Sequence, residues 1–221
     1  MRTFLSIAAA VAALSLATPV AQAHPASHLP LPYNGNATQV VTVVAKDANA
    51  TTAILTAWQR APDGWQPVIG PVEAHVGSQG IGQAREGATK TPSGVWTLTE
   101  AFGIQANDGT RLPYRHVGTS DWWVSDVNSP FYNTYQHCDR GTCPFNEAAG
   151  ENLGAAGFLY NHAVVIDYNR SPVVRGAGSA FFLHITNGRP TAGCVAITAD
   201  ALSNLMRWLD PAQHPVLDIG Q

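Results

Sequence analysis

Residues 181–198 read Phe-Phe-Leu-His-Ile-Thr-Asn-Gly-Arg-Pro-Thr-Ala-Gly-Cys-Val-Ala-Ile-Thr. An apolar run over 180–183 ends at His184. A polar loop with Gly188 and Pro190 follows, and a second apolar run, 195–197, is entered through Gly193-Cys194. The pattern is strand, loop, strand, with a histidine leaving the first strand and a cysteine entering the second. If the strands pair, His184 and Cys194 face each other across the loop. An imidazole beside a thiol is the minimum equipment for nucleophilic catalysis. The same pattern also fits an inert cysteine buried in a β core.

The chemistry asks for three further things. The thiolate is the attacking form, so the thiol pKa, about 8.5 when free, must be lowered or its proton taken up. The imidazole needs an acceptor for its other nitrogen, which a backbone carbonyl can supply. Developing negative charge needs backbone N–H donors. Gly193 allows close backbone approach, which makes the amides of residues 192–194 natural oxyanion donors. The chain has eight histidines, and only His184 stands ten residues before the cysteine across one loop.

Composition narrows the class. Charged residues are only 12% of the 221, against 45% hydrophobic, enough to bury a core. Net charge is −3, and no basic cluster is present, which argues against nucleic-acid binding. Short β-branched runs separated by abundant Gly and Pro predict a mostly β domain. Strands are expected at 39–45, 51–59 and 65–69 as a meander around an Ala61-Pro62-Asp63-Gly64 turn. Further strands are expected at 95–99, 162–168, 180–185, 195–197 and 215–219. Thr198 should cap one C-terminal helix with Leu202, Leu205, Met206 and Leu209 on its inner face, stopped by Pro211.

Residues 1–23 have the make-up of a secretory signal peptide. Arg2 precedes an apolar run over 4–17, and Ala21-Gln22-Ala23 is a small-x-small cleavage site. Residues 24–36 then read as a flexible leader and 37–221 as one domain. No later segment reaches the ~18 apolar residues of a membrane span, so no membrane association is expected after cleavage.

Three cysteines in an exported chain leave one thiol to explain. Cys138 and Cys143 flank a turn-like Asp-Arg-Gly-Thr and can approach to disulfide distance, which leaves Cys194 free. The competing pairing joins Cys194 to one of them and removes the nucleophile. His137 beside Cys138 and Cys143 gives at most three metal ligands, a weaker reading than a disulfide.

Two other stretches carry competing readings. The glycine-dense 77–94 lacks the phosphate-loop spacing and reads as a structural loop. Residues 121–135 hold five aromatics. They serve either as a core flap or as a cleft wall that stacks on substrate, with Trp122 and Tyr132 the candidates for contact. Asp121 and Asp126 in that stretch form a weak paired-carboxylate pattern, and solvated or capping roles suit them better.

His184 followed by Thr191-Ala192-Gly193-Cys194-Val195 resembles the His…Ser/Thr-x-Gly-Cys signature of the L,D-transpeptidase catalytic domain. Upstream, Gly87 through Thr91-Pro92-Ser93-Gly94-Val95-Trp96 resembles that family's Gly…Thr-Pro-x-Gly-x-aromatic segment. Ala101-Phe102-Gly103, Asp126-Val-Asn-Ser129 with Tyr132-Asn133, and Ile166-Asp-Tyr168-Asn169 resemble its actinobacterial-type members.

The resemblance implies a β-sandwich or barrel-like domain with long loops, secreted or held in the cell envelope. It implies a cysteine acyltransferase on peptidoglycan stem peptides that forms 3→3 cross-links, with no metal or cofactor. Cys194 would be the nucleophile, His184 the base and later the acid, and Gly193 part of the oxyanion hole. Thr191, Arg189, Trp122, Tyr132 and Tyr168 would contact substrate. Many relatives carry a second histidine where this chain has Ala192, and Arg or Asn where it has Ala196. Those departures leave the Cys/His pair intact and leave hydrolysis open beside transfer. A sortase or another Cys/His peptidase, and a non-catalytic wall-binding domain of the same fold, are the alternatives. The oligomeric state is not set by these features.

Overall fold

The computed structural model describes residues 28–221. The expected signal segment and the first residues of the leader lie outside the described residues. Residues 28–36 carry no regular secondary structure, yet Leu31 is buried and Tyr33 packs edge-on against Trp65.

Strands β1 (Gln39–Ala45), β2 (Thr52–Ala61) and β3 (Gly64–His75) form the expected antiparallel meander. β3 runs further than its apolar start suggests, because nearly its whole length pairs with β2. The glycine-dense segment is a loop pinned by a minimal parallel pair, β4 (Ile81–Gly82) with β5 (Thr91–Pro92). Next come β6 (Gly94–Thr97), β7 (Ala101–Gly103) and β8 (Tyr114–His116).

The aromatic stretch opens a small separate sheet in which β9 (Asp121–Val124) lies between β10 (Tyr135–His137) and β11 (Gly150–Asn152). Residues 138–157, beyond the Cys138–Cys143 turn, therefore also contain a strand. A 3-10 stretch, Leu153–Tyr160, leads from it to β12 (Ala163–Val165). β12 is shorter than the 162–168 run predicts, because a tight turn with Tyr168 N–H donating to Ile166 O at 2.7 Å ends the pairing. β13 (Phe182–Ile185) and β14 (Val195–Ile197) follow, then helix α1 (Ala199–Trp208) and β15 (Val216–Gly220).

Ten strands make one curled sheet in the order β6-β15-β1-β2-β3-β14-β13-β12-β7-β8. The last strand, β15, pairs parallel with the first, β1, and so ties the two ends of the domain together.

The centre of the sheet separates two cores by the two-residue alternation of a strand. Leu183, Ile185, Val195 and Ile197 point to one face and join Leu202, Leu205 and Met206 of α1 in the larger core. Phe182 and Cys194 belong to a second core on the other side, with Trp123, Leu153 and Tyr160. The helix forms where the periodicity places it, with Thr198 at its N-cap, though no side-chain capping bond is made there. Phe182 is the hub of the second core. Its ring meets those of Phe102, Trp123 and Tyr160 edge-on at centroid distances of 5.0, 5.2 and 5.6 Å. Such pairs contribute about 0.5–1.5 kcal/mol each beyond area burial.

The fold makes the α1 seam a direct test of the larger core. Leu205 is fully buried. Leu205→Ala is expected to destabilise the domain by about 2–5 kcal/mol, read as a lower midpoint in urea unfolding. A change below about 0.5 kcal/mol, the range of exposed surface sites, would show that α1 does not pack on the sheet as described.

Candidate active site

The strands carrying His184 and Cys194 do pair, and they pair parallel: Leu183 opposes Val195 and His184 opposes Ala196. The chain between them must therefore cross back over the sheet end, and it is held there. Thr191 N–H donates to Val76 O at 2.9 Å, and Ser78 N–H donates to Thr191 O at 2.9 Å. Parallel pairing makes Cys194 the residue entering β14. It sits beside Phe182, whose N–H donates to Cys194 Sγ at 3.4 Å.

His184 has an alanine directly opposite on each neighbouring strand, Ala163 on β12 and Ala196 on β14. In-register residues share a face, so these small side chains leave the imidazole room over the sheet. Ala196 thus belongs to the ring's seat. His184 Nδ1 lies 2.8 Å from Ile185 O. Only the tautomer with Nδ1–H satisfies that carbonyl, which leaves Nε2 as the basic nitrogen. Burial pulls the imidazole below its ordinary 6.5, only partly offset by this hydrogen bond, so it is neutral at pH 7.

Cys194 is a free, buried cysteine. Burial pushes its thiol up to about 12, and the Glu151 carboxylate adds to the rise. The Phe182 N–H and the Tyr160 hydroxyl oppose it. The thiol and the imidazole of the resting site are therefore both neutral.

Both motif halves converge on the Cys194 backbone. Cys194 O accepts from Thr191 Oγ1 at 2.6 Å and from Thr91 Oγ1 at 3.3 Å. Thr91 Oγ1 also accepts from Gly77 N–H at 2.8 Å. Gly193 has φ +137°, a region that L side chains rarely adopt. A Cβ there would lie 2.6 Å from Phe181 Cε1 and 3.1 Å from Lys90 O. Its own N–H donates to Thr191 Oγ1 at 3.1 Å, so that amide is committed to the turn.

His184 and Cys194 open into one cavity of about 490 Å³, within the usual range for ligand sites. Thr191 and Arg189 line it, and so do Arg85, Glu86, Glu151 and Tyr160, which carried no signal in the sequence. Trp122, Tyr132 and Tyr168 do not. Trp122 is buried under Phe145 and donates its indole N–H to Cys138 O at 3.1 Å. Tyr168 packs on Trp96 and Phe181 and donates to Ala177 O at 2.8 Å. Tyr132 is buried behind the cavity wall, donating to Glu86 Oε2 at 2.5 Å and accepting from Gly178 N–H at 3.1 Å.

Tyr132 and Asn133 thereby hold the segment that forms one wall of the cavity. Asn133 Oδ1 accepts from Ala180 N–H at 3.2 Å, and Ala180 sits at φ +57° with its carbonyl 3.5 Å from Cys194 Sγ.

The disulfide joins Cys138 to Cys143 with Cα atoms 5.3 Å apart, as the turn-like spacing suggests. Asp121 is buried rather than solvated. It accepts from Gly118 N–H at 2.6 Å, from the Tyr135 hydroxyl and from His137 Nδ1, and so ties β9 to β10. Asp126 accepts from Asn128 N–H and Asn146 N–H, each at 3.0 Å, and caps turns.

A family model described as the L,D-transpeptidase catalytic domain (YkuD) matches residues 43–217. The chain belongs to that family. No curated protein matches its sequence significantly. Among solved structures, the helical cell shape determining protein Pgp2 from Campylobacter jejuni is similar, with a TM-score of 0.42 and 11% identity. The match covers 85% of this chain and 49% of that one, so this chain spans about half the length of that structure.

Two substitutions test the site's scaffold. Gly193→Ala forces a strained φ and a clash on the residue before Cys194. It is expected to destabilise by about 1–3 kcal/mol and to slow alkylation of Cys194; an unchanged melting temperature and alkylation rate would contradict the close approach. Tyr132→Phe leaves Gly178 N–H without its partner and Glu86 with Ser179 alone. It is expected to lower stability by about 1–3 kcal/mol, read by thermal melting.

Proposed function

We propose that the chain is an exported cysteine transpeptidase of the cell envelope that acts on peptidoglycan stem peptides and forms 3→3 cross-links through an acyl-enzyme on Cys194. The observation that carries this reading is the placement of His184 within β13 and of Cys194 at the entry of the adjacent β14, both lining one cavity, with Nε2 left free by the Nδ1 bond to Ile185 O. Family membership supports the reaction class. The signal-like residues 1–23 and the Cys138–Cys143 disulfide support an extracytoplasmic site of action. The upstream segments that resemble actinobacterial-type members fit the same reading.

In this mechanism Cys194 Sγ attacks the carbonyl of the stem's third residue. The thiol proton moves to His184 Nε2 and then to the leaving amine of the terminal D-residue. A thioester remains until the amine of a second stem attacks it, again with His184 as base. With the Gly193 amide committed to Thr191, the oxyanion role falls to the other amides of the 192–194 turn. Gly193 acts by setting that turn's conformation. In this reading Arg189, exposed on the loop, and Arg85, both lining the cavity, receive a substrate carboxylate, with Thr191 fixing the loop.

A carbapenem-type β-lactam is an acyl donor for such a thiol. Intact-mass spectrometry is expected to show one adduct on the wild type and none on Cys194→Ala; an adduct that survives in Cys194→Ala would contradict the assignment. The acylation rate should fall as pH drops, because the base must be neutral. Burial lowers the His184 pKa, so the midpoint of that fall is expected below 6.5. A midpoint above 7 would contradict a neutral, buried imidazole as the base.

A further inference from the structure

The mechanism above leaves one buried group at the nucleophile without a role. Tyr160, at the end of the 3-10 stretch Leu153–Tyr160, is 4% exposed. Its ring is held on three sides, edge-on to Phe102, Phe182 and His184 at 5.4, 5.6 and 5.3 Å. So confined, its hydroxyl has two neighbours. One is Glu151 of β11, which it hydrogen-bonds through Oε1. The other is Cys194, which packs with it in the second core and lines the same cavity; its sulfur is also met by Phe182 N–H at 3.4 Å and Ala180 O at 3.5 Å. Among the described residues no cation forms an ion pair with Glu151. The other charged groups on the same cavity are Arg85, Glu86 and Arg189, and Glu86 is already engaged by Tyr132 and Ser179.

We propose that Glu151 and Tyr160 form a second proton path to the nucleophile. Cys194 S–H gives its proton to Tyr160 Oη while the Tyr160 O–H proton passes to Glu151 Oε1. The S–H bond breaks and its electron pair stays on sulfur. Tyrosine ends neutral as it began, and the carboxylate becomes a neutral carboxyl. No co-reactant is needed, and the proton returns by the same route when the thiolate is released.

The electrostatics favour such a path. Glu151, ionised, opposes formation of the thiolate, as its contribution to the raised thiol pKa shows. Moving the proton onto Glu151 supplies the base and removes the opposing charge in one step. Burial raises the carboxyl to about 6, so near neutral pH it is ionised and able to receive a proton. In this path Tyr160 relays the proton and Glu151, its hydrogen-bond partner, acts through it as a positioning and proton-holding residue.

The path rests on Cys194 being the nucleophile, but its test does not need a cell-wall substrate. The rate of Cys194 alkylation by iodoacetamide, followed by intact mass from pH 5 to 9, reads the thiolate directly. The measurement uses a His184→Asn background, in which the imidazole no longer competes. The expected profile has a limb with a midpoint near 6, where Glu151 ionises. Glu151→Gln, which keeps the hydrogen bond but not the proton affinity, should abolish that limb and slow alkylation at pH 7 by about tenfold or more, at or below the scale of general-base catalysis. Tyr160→Phe should do the same, and the two together should add nothing.

A purely electrostatic role predicts the opposite sign, since loss of the negative charge would speed alkylation. An unchanged or faster rate in Glu151→Gln therefore overturns the proposal. Tyr160→Phe, which removes one oxygen from the same volume, carries the test alone if Glu151→Gln does not fold; a limb that persists in it overturns the proposal equally. A shifted profile in a protein that accepts no acyl group from a stem peptide would sink the transpeptidase reading and leave the proton path standing.

Discussion

The parallel pairing of β13 with β14 is the constraint on which the site depends. It makes the cysteine the entry residue of one strand and the histidine an interior residue of its neighbour, both on the sheet face away from α1. The odd-numbered apolar residues of both strands are buried on the opposite face, so the register cannot slip by one without turning His184 and Cys194 into the helix-side core. The site is thus held by the packing of Leu183, Ile185, Val195 and Ile197 as much as by its own hydrogen bonds. The return loop is held in the same spirit. Thr191 joins the Val76–Ser78 edge through its backbone, and its hydroxyl clamps the Cys194 carbonyl together with Thr91.

That clamp explains why two distant motifs belong together. Thr91 stands at the end of the glycine-dense loop, 103 residues before the cysteine, and its hydroxyl bridges Gly77 N–H and Cys194 O. The glycine-dense stretch lets backbone segments approach where a Cβ would not fit. At Gly77 a Cβ would lie 2.2 Å from Thr89 O. A loop that resembles a phosphate-binding element in composition is here a brace for the turn that carries Cys194.

Much of this was legible in residue order. The meander, the helix with its Leu202/Leu205/Met206 face, the final strand and the Cys138–Cys143 pairing all follow from local periodicity and turn chemistry. What local signals could not supply was direction and depth. A strand-loop-strand pattern does not say whether the strands run parallel; that is decided by the bridge from Thr191 to Gly77, a contact between distant segments. The aromatic stretch likewise cannot show which rings face a cleft. Trp122, Tyr132 and Tyr168 each have a polar atom that finds a backbone or carboxylate partner inside, and this draws them away from the cavity. Glu151 and Tyr160 lie in unremarkable sequence, and only β11 of the small sheet and the 3-10 stretch after it bring them to the cavity that Cys194 lines.

The central claim is that the thiol of Cys194 carries an acyl group from a peptidoglycan stem to an amine. Incubation of the purified protein with a disaccharide tetrapeptide, followed by mass spectrometry of both protein and products, tests it most directly. The expected result is release of the terminal D-residue, a mass increase mapped to Cys194, and a dimer cross-linked between the third residues of two stems. Release of the D-residue with water as the only acceptor would contradict transfer. An unmodified protein with intact tetrapeptide would contradict the catalytic account itself.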